Sequence, residues 1–148
     1  MSTGKTRLAA TASELNSAAV RLLRGLRATD RTAGLTPARL SALSVLVFGG
    51  PCSLGQLAQA EDVAGPTMTR IVDGLVRLGL AERTPHPDGA RLVVVSPTTE
   101  GERVMRAAQQ ARVDVIAAAL RTMNPDQRRA IVAAGPALLE LAARVRRS

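Results

Sequence analysis

Apolar residues recur at helical spacing through most of this chain and alternate with polar ones in one short stretch only. Leu8, Ala12, Leu15, Ala19, Leu22 and Leu26 return every three or four positions, which predicts a first helix over residues 7–29. Arg21, Arg24 and Arg27 fall on a different side of it and read as a solvated face. After Gly34, Thr36-Pro37 is a start signal: a threonine hydroxyl can cap the helix, and proline's fixed φ suits the first helical position. The second helix, "ARLSALSVLVF", stops at Gly49-Gly50-Pro51. A glycine run can cradle phosphate, but no Lys-Ser/Thr follows and Pro51 removes a donor. The run is therefore read as a terminator, followed by a short extended piece, "PCSL".

"SLGQLAQAED" predicts a short third helix capped by Ser53, with Leu54, Leu57 and Ala58 inward, and the turn "EDVAG" leads into "GPTMTRIVDGLVRLG". With Met68 at zero and about 100° per residue, Ile71, Val72, Leu75 and Leu78 gather on one arc of this fourth helix. Thr67, Thr69, Arg70, Asp73, Gly74 and Arg77 occupy the other, and Gly79 closes the helix. "LAERTPH" and "RLVVV" then flank the turn signal "PDGA", predicting a β-hairpin over 80–95. Thr99 and Glu102 form a capping box for a long helix through Met123. Asn124-Pro125, with Gln127, opens a last helix that reaches Arg146, which Gly135-Pro136 is expected to kink or break.

The predicted fold is mainly α with a small β-hairpin wing (α+β). Short helix, turn, helix and hairpin together make a winged helix-turn-helix, here over 35–97. Residues 1–34 and 98–148 supply helices outside it. In such a unit the second helix of the motif buries its apolar arc and turns the other arc, with its N-terminal end, toward a DNA groove. Threonine hydroxyls and first-turn amides suit phosphates, and arginine can pair bidentately with guanine.

Composition narrows this reading. The 148 residues suit one domain or a compact module with helical extensions, and 46% hydrophobic against 22% charged is enough to build a core. Phe48 is the sole aromatic residue, so the core is aliphatic and base-stacking sites of the single-strand-binding kind are disfavoured. The net charge of +8 invites a nucleic-acid reading, yet its distribution is uneven. Residues 1–51 carry seven basic side chains against two acidic, and 98–148 nine against five. Residues 52–97 have only Arg70, Arg77, Arg83 and Arg91 against five acids. One cysteine, Cys52, rules out an internal disulfide. No run of 18 apolar residues and no signal-peptide pattern occurs, which leads to the expectation of a cytoplasmic protein with no membrane role.

"SLGQLAQAEDVAGPTMTRIVDGLVRLGLAER" resembles the helix-turn-helix of the MarR family of bacterial transcriptional regulators. The match is clearest at Thr69-Arg70, Ile71-Val72, Leu75, Leu78-Gly79-Leu80 and Arg83. "PDGARLVVVSPTTEG" is similar to the family's wing and to the Thr-x-x-Gly, here Thr98 to Gly101, that opens its fifth helix. The resemblance implies contacts with double-stranded DNA from Pro66, Thr67, Thr69 and Arg70, and a minor-groove contact from Arg91. It also implies a homodimer through the first, fifth and sixth helices on a palindromic operator, with recognition helices ~34–36 Å apart. A repressor released by a small-molecule effector fits the same pattern. Arg77, on the outer arc, Ser53, at the third helix's cap, and Arg39, near the start of the second helix, complete the candidate DNA-binding set. Three departures stand out. The winged segment is itself neutral to acidic, so arginines outside it, Arg39 among them, are expected to supply part of the phosphate attraction, with a structural role for Arg39 equally open. The wing tip, Asp88-Gly89-Ala90-Arg91, has one arginine, and Asp62 and Ala64 hold turn positions where the family has glycine and a Ser or Thr cap.

Other readings compete. A dimeric protein–protein module could keep the winged fold without DNA binding. Cys52 could act as a thiol-based redox sensor, but it has no partner cysteine and no basic residue within three positions. His86, the single histidine, has no ligand cluster beside it, so no metal and no cofactor is expected, although a phosphate contact is open to it. Catalysis needs a nucleophile with its base, a carboxylate pair or a metal set, and this chain offers little of that, so no enzyme is expected.

Overall fold

The computed structural model describes the backbone of residues 2–31, 34–86 and 89–145, and the side chains of these except 2–5, 31, 86 and 89–92. Among the described residues, six helices and three strands follow in order: α1 Ser2–Arg31, α2 Pro37–Gly49, β1 Cys52–Ser53, α3 Leu54–Ala60, α4 Gly65–Arg77, β2 Ala81–His86, β3 Gly89–Pro97, α5 Thr99–Thr122 and α6 Pro125–Val145. This is the mainly helical, winged architecture expected. The chain divides into two units, Met1–Arg112 and Val113–Ser148, with α5 running across the division.

The core of the first unit lies where α2, α3 and α4 meet the sheet. Leu43, Leu57, Met68, Val72, Leu75 and Val95 are completely buried there. The buried cluster is built of leucine, valine, methionine and alanine and, among the described residues, holds no aromatic ring. Two helices of this core, α2 and α3, are started by a side-chain cap. Thr36 Oγ1 accepts from the Arg39 N–H at 3.3 Å, and Pro37 follows as the first helical residue. Ser53 and Gln56 complete a reciprocal capping box on α3: Gln56 N–H donates to Ser53 Oγ (3.2 Å) and Ser53 N–H to Gln56 Oε1 (2.9 Å).

The sheet has strand order β1-β3-β2, antiparallel throughout. β2 and β3 form the wing, with Arg83 opposite Val95 and Thr84 opposite Val94. The extended "PCSL" piece contributes β1, whose Cys52 faces Val95 across the ladder. Pro85 is accommodated because β2 is an edge strand, where a missing N–H breaks no second ladder. The predicted turn residues Pro87 and Asp88 lie outside the described residues.

Four expectations change. α1 begins five residues before the predicted start and ends two residues after the predicted end. α5 is capped by Thr98 rather than Thr99: Thr98 Oγ1 accepts from the Gly101 N–H (3.0 Å), and Thr98 C=O takes the Glu102 N–H (2.9 Å). Leu78, placed on the apolar arc of α4, is half exposed because the helix ends at Arg77. Gly79, at φ +70°, then turns the chain so that Leu80 fills the core position instead. α6 runs through Gly135-Pro136 as one helix, so a break there does not occur. One proline removes a single helical hydrogen bond, and its φ is itself helical.

In the second unit, Asn124 Oδ1 accepts from the Asp126 N–H at 2.8 Å to start α6. No residue of α6 is buried, and Ile131, Val132, Leu138 and Leu139 are exposed. In the first unit α1 buries Leu26 but leaves Leu8, Leu22 and Leu23 exposed.

Candidate nucleic-acid interface

The positioning of α4 decides what this chain can present to a partner. Its apolar arc sinks Met68, Val72 and Leu75 completely into the core, with Ile71 half buried beside them. Pro66, Thr67, Thr69, Arg70 and Arg77 are all exposed. The turn before α4 places Asp62 in the left-handed region at φ +52°, where aspartate is one of the few non-glycine residues tolerated. Ala64 then takes the N-cap conformation (φ −66°, ψ 145°) with no side chain able to cap.

The hydroxyls of α4 differ in what they offer. Thr69 Oγ1 donates to the Gly65 carbonyl at 3.0 Å. Its proton is thus engaged, and it presents lone pairs suited to a base amino group rather than to a phosphate. Thr67 has no such side-chain bond among the described residues and keeps its proton for an acceptor. First-turn amides are scarce, since Pro66 has no N–H and the Thr67 N–H is turned onto the Ala64 carbonyl (2.9 Å).

The charge on α4 is set by neighbours. Asp73 would oppose a phosphate, but Arg83 Nη2 of β2 donates to its Oδ1 at 2.6 Å. Arg39 reaches from α2 to Gly74, where an added Cβ would stand 2.6 Å from Arg39 Nη2 and 2.7 Å from Cζ. Its guanidinium has no acidic partner among the described residues. Ser53 stands at the start of α3, half buried, with its hydroxyl accepting the Gln56 N–H. Arg91 lies on β3 by its backbone, and its side chain and that of His86 are outside the described set.

The wing is locked to the helices behind it. Thr98 Oγ1 donates to the Gly79 carbonyl at 2.6 Å while capping α5, and the Thr98 N–H donates to Leu80 C=O at 3.1 Å. Gly101 lets α5 close on this corner: a Cβ there would overlap the Leu80 carbonyl oxygen and stand 2.9 Å from its carbon. Cys52 is half buried in β1, and burial pushes its thiol above the ordinary value. That is the opposite of what a reactive thiolate needs.

The family model that matches this chain, at residues 33–92, is described as MarR family. Over 130 residues the chain is 37% identical to an HTH-type transcriptional regulator of Mycobacterium leprae, covering 88% of this chain and 91% of that protein. The chain belongs to the MarR family. A crystal structure of RV1404 from Mycobacterium tuberculosis is 28% identical, with a TM-score of 0.76 and coverage of 87% of this chain and 90% of that one. A MarR family protein from Bacillus stearothermophilus, at 23% identity, shares the fold with a TM-score of 0.80, over 95% and 96% of the two chains.

For a MarR-family transcriptional regulator, the structure brings the predicted Pro66, Thr67, Thr69, Arg70 and Arg77 to one exposed side of α4 and sets the likewise predicted Arg39 against Gly74. Gly74 and the Asp73–Arg83 pair went unassigned in the sequence. Helical periodicity places Gly74 on the outer arc among polar residues, but the structure buries it beneath the Arg39 side chain, because nothing in that pattern says which side chain fills the missing Cβ.

Proposed function

We propose that the chain is a homodimeric, sequence-specific regulator of transcription that binds a palindromic double-stranded DNA operator and represses by occupying it. The observation that carries this reading is the division of α4: Met68, Val72 and Leu75 are sealed in the core, while Pro66, Thr67, Thr69, Arg70 and Arg77 are exposed. Inserted in a major groove, Arg70 and Thr69 meet base edges, Thr67 meets a phosphate, and Arg91 on the wing reaches the neighbouring minor groove. The exposed apolar side chains of α1 and α6 support a second copy, because such surface is favourably removed from water.

Release by a small molecule requires a ligand that binds the DNA-competent and incompetent states unequally. Within the first unit a cavity of about 260 Å³ is lined by Asp30, Leu40, Ser41, Ser44, Met105 and Arg112, among others, and offers such a molecule a place beside α2. Selection of bound duplexes from a random pool, with and without candidate metabolites, tests the reading. Enrichment of an inverted repeat with half-sites about one helical turn apart is the expected result. A pool that stays random would refute it.

A further inference from the structure

Residues 52–97 carry more acids than arginines, which is unfavourable for a surface that must approach phosphates. Tertiary structure reverses that balance on one flank of α4. Gly74 lies one turn after Arg70 and one turn before Arg77, so the three share a face of the helix. The guanidinium of Arg39 occupies the space a Cβ at Gly74 would take. Asp73, the acid on this helix, is already engaged by Arg83 at 2.6 Å.

We infer that Gly74 is a slot that positions Arg39 as a DNA phosphate contact, completing a row of three guanidinium groups, Arg70, Arg39 and Arg77, along the recognition helix. The row spans about 10 Å of helix axis. The inference rests on the DNA-binding reading above and adds to it a third guanidinium on the phosphate backbone and a positioning residue that touches no DNA itself. Arg39 is suited to the task because it is half buried and carries no internal counter-charge among the described residues. Its stem is therefore held while its charge is left for an external anion. Any larger residue at position 74 would push the guanidinium off this line. The group displaced is the far end of a flexible side chain, and alanine is a better helix former than glycine, so α4 remains folded when the slot is filled.

The experiment measures binding to a synthetic duplex of random sequence, which reports phosphate contacts, as a function of salt for the full chain and for Arg39→Gln, Gly74→Ala and the double variant. Circular dichroism and melting confirm the fold of each. Each phosphate contact contributes about 0.9 to the slope of log K against log salt. Both single variants are expected to bind several-fold more weakly, with a slope shallower by about one per protomer, and the double variant to match Arg39→Gln. A Gly74→Ala protein that is folded and keeps the wild-type slope would overturn the slot. A wild-type slope in Arg39→Gln would overturn the contact, and additive losses in the double variant would break the link between them. Failure of the DNA reading itself is distinguishable, because wild-type protein would then show no salt-dependent duplex binding, which also overturns this inference.

Discussion

Arg83 and Asp73 are joined by an ion pair of 2.6 Å that ties the first wing strand to the recognition helix. The side chains are 30% and 44% exposed, so water and salt screen the attraction. A double-mutant cycle with Arg83→Gln and Asp73→Asn in urea unfolding should give a coupling of about 0.2–1 kcal/mol that shrinks as salt is added. A coupling of zero at low salt would show that the pair does not hold the two elements together.

Gly101 is where α5 closes on the wing corner, with no room for a Cβ beside the Leu80 carbonyl. Gly101→Ala should therefore destabilise the protein by about 1–3 kcal/mol, the range of an overpacked site. Equilibrium denaturation measures this, and a variant as stable as wild type would mean that the corner yields freely.

Ala64 stands in the N-cap conformation of α4 without a capping side chain. Ala64→Ser should add about 1 kcal/mol by accepting a first-turn N–H. Its thermal midpoint is the readout, and no rise would mean that the serine hydroxyl does not reach the turn.

Arg70→Ala should cost about 1–3 kcal/mol of specific binding and relax preference at one operator position. Arg91→Ala should weaken binding to all duplexes more evenly and flatten the salt slope. Titrations of selected and scrambled duplexes separate the two effects. An Arg70→Ala protein with undiminished operator preference would take the proposed base-edge contact away from that residue.

Burial raises the Cys52 thiol above its ordinary value. A raised value leaves the group protonated at neutral pH, and the thiolate fraction grows only as the pH climbs past the range usual for a free thiol. Alkylation by iodoacetamide at pH 7 should accordingly be slower than that of free cysteine and should accelerate in alkali. Fast modification at neutral pH would reopen the redox-sensing reading.

Much of this molecule was legible in its sequence because the signals are local. Thr36-Pro37 and Ser53 with Gln56 mark helix starts through hydrogen bonds that span three residues. The arc of Met68, Val72 and Leu75 follows from helical periodicity alone. Where the reading missed, a competing local signal was present or the deciding contact was distant. Thr99 with Glu102 imitates the capping box that Thr98 displaces, since Thr98 also bonds Gly79, nineteen residues earlier. Leu78 fits the apolar arc, but the left-handed turn at Gly79 hands its place to Leu80.

By itself the sequence determined the six helices and the wing, the buried arc of α4 and the family, all of which depend on spacing within a few turns of chain. Only the tertiary structure decided the charge that α4 presents. Arg39 arrives from 35 residues before Gly74, and Arg83 silences Asp73 from the next strand. Electrostatic balance depends on distance in space, so counting charges between two residue numbers could not find it.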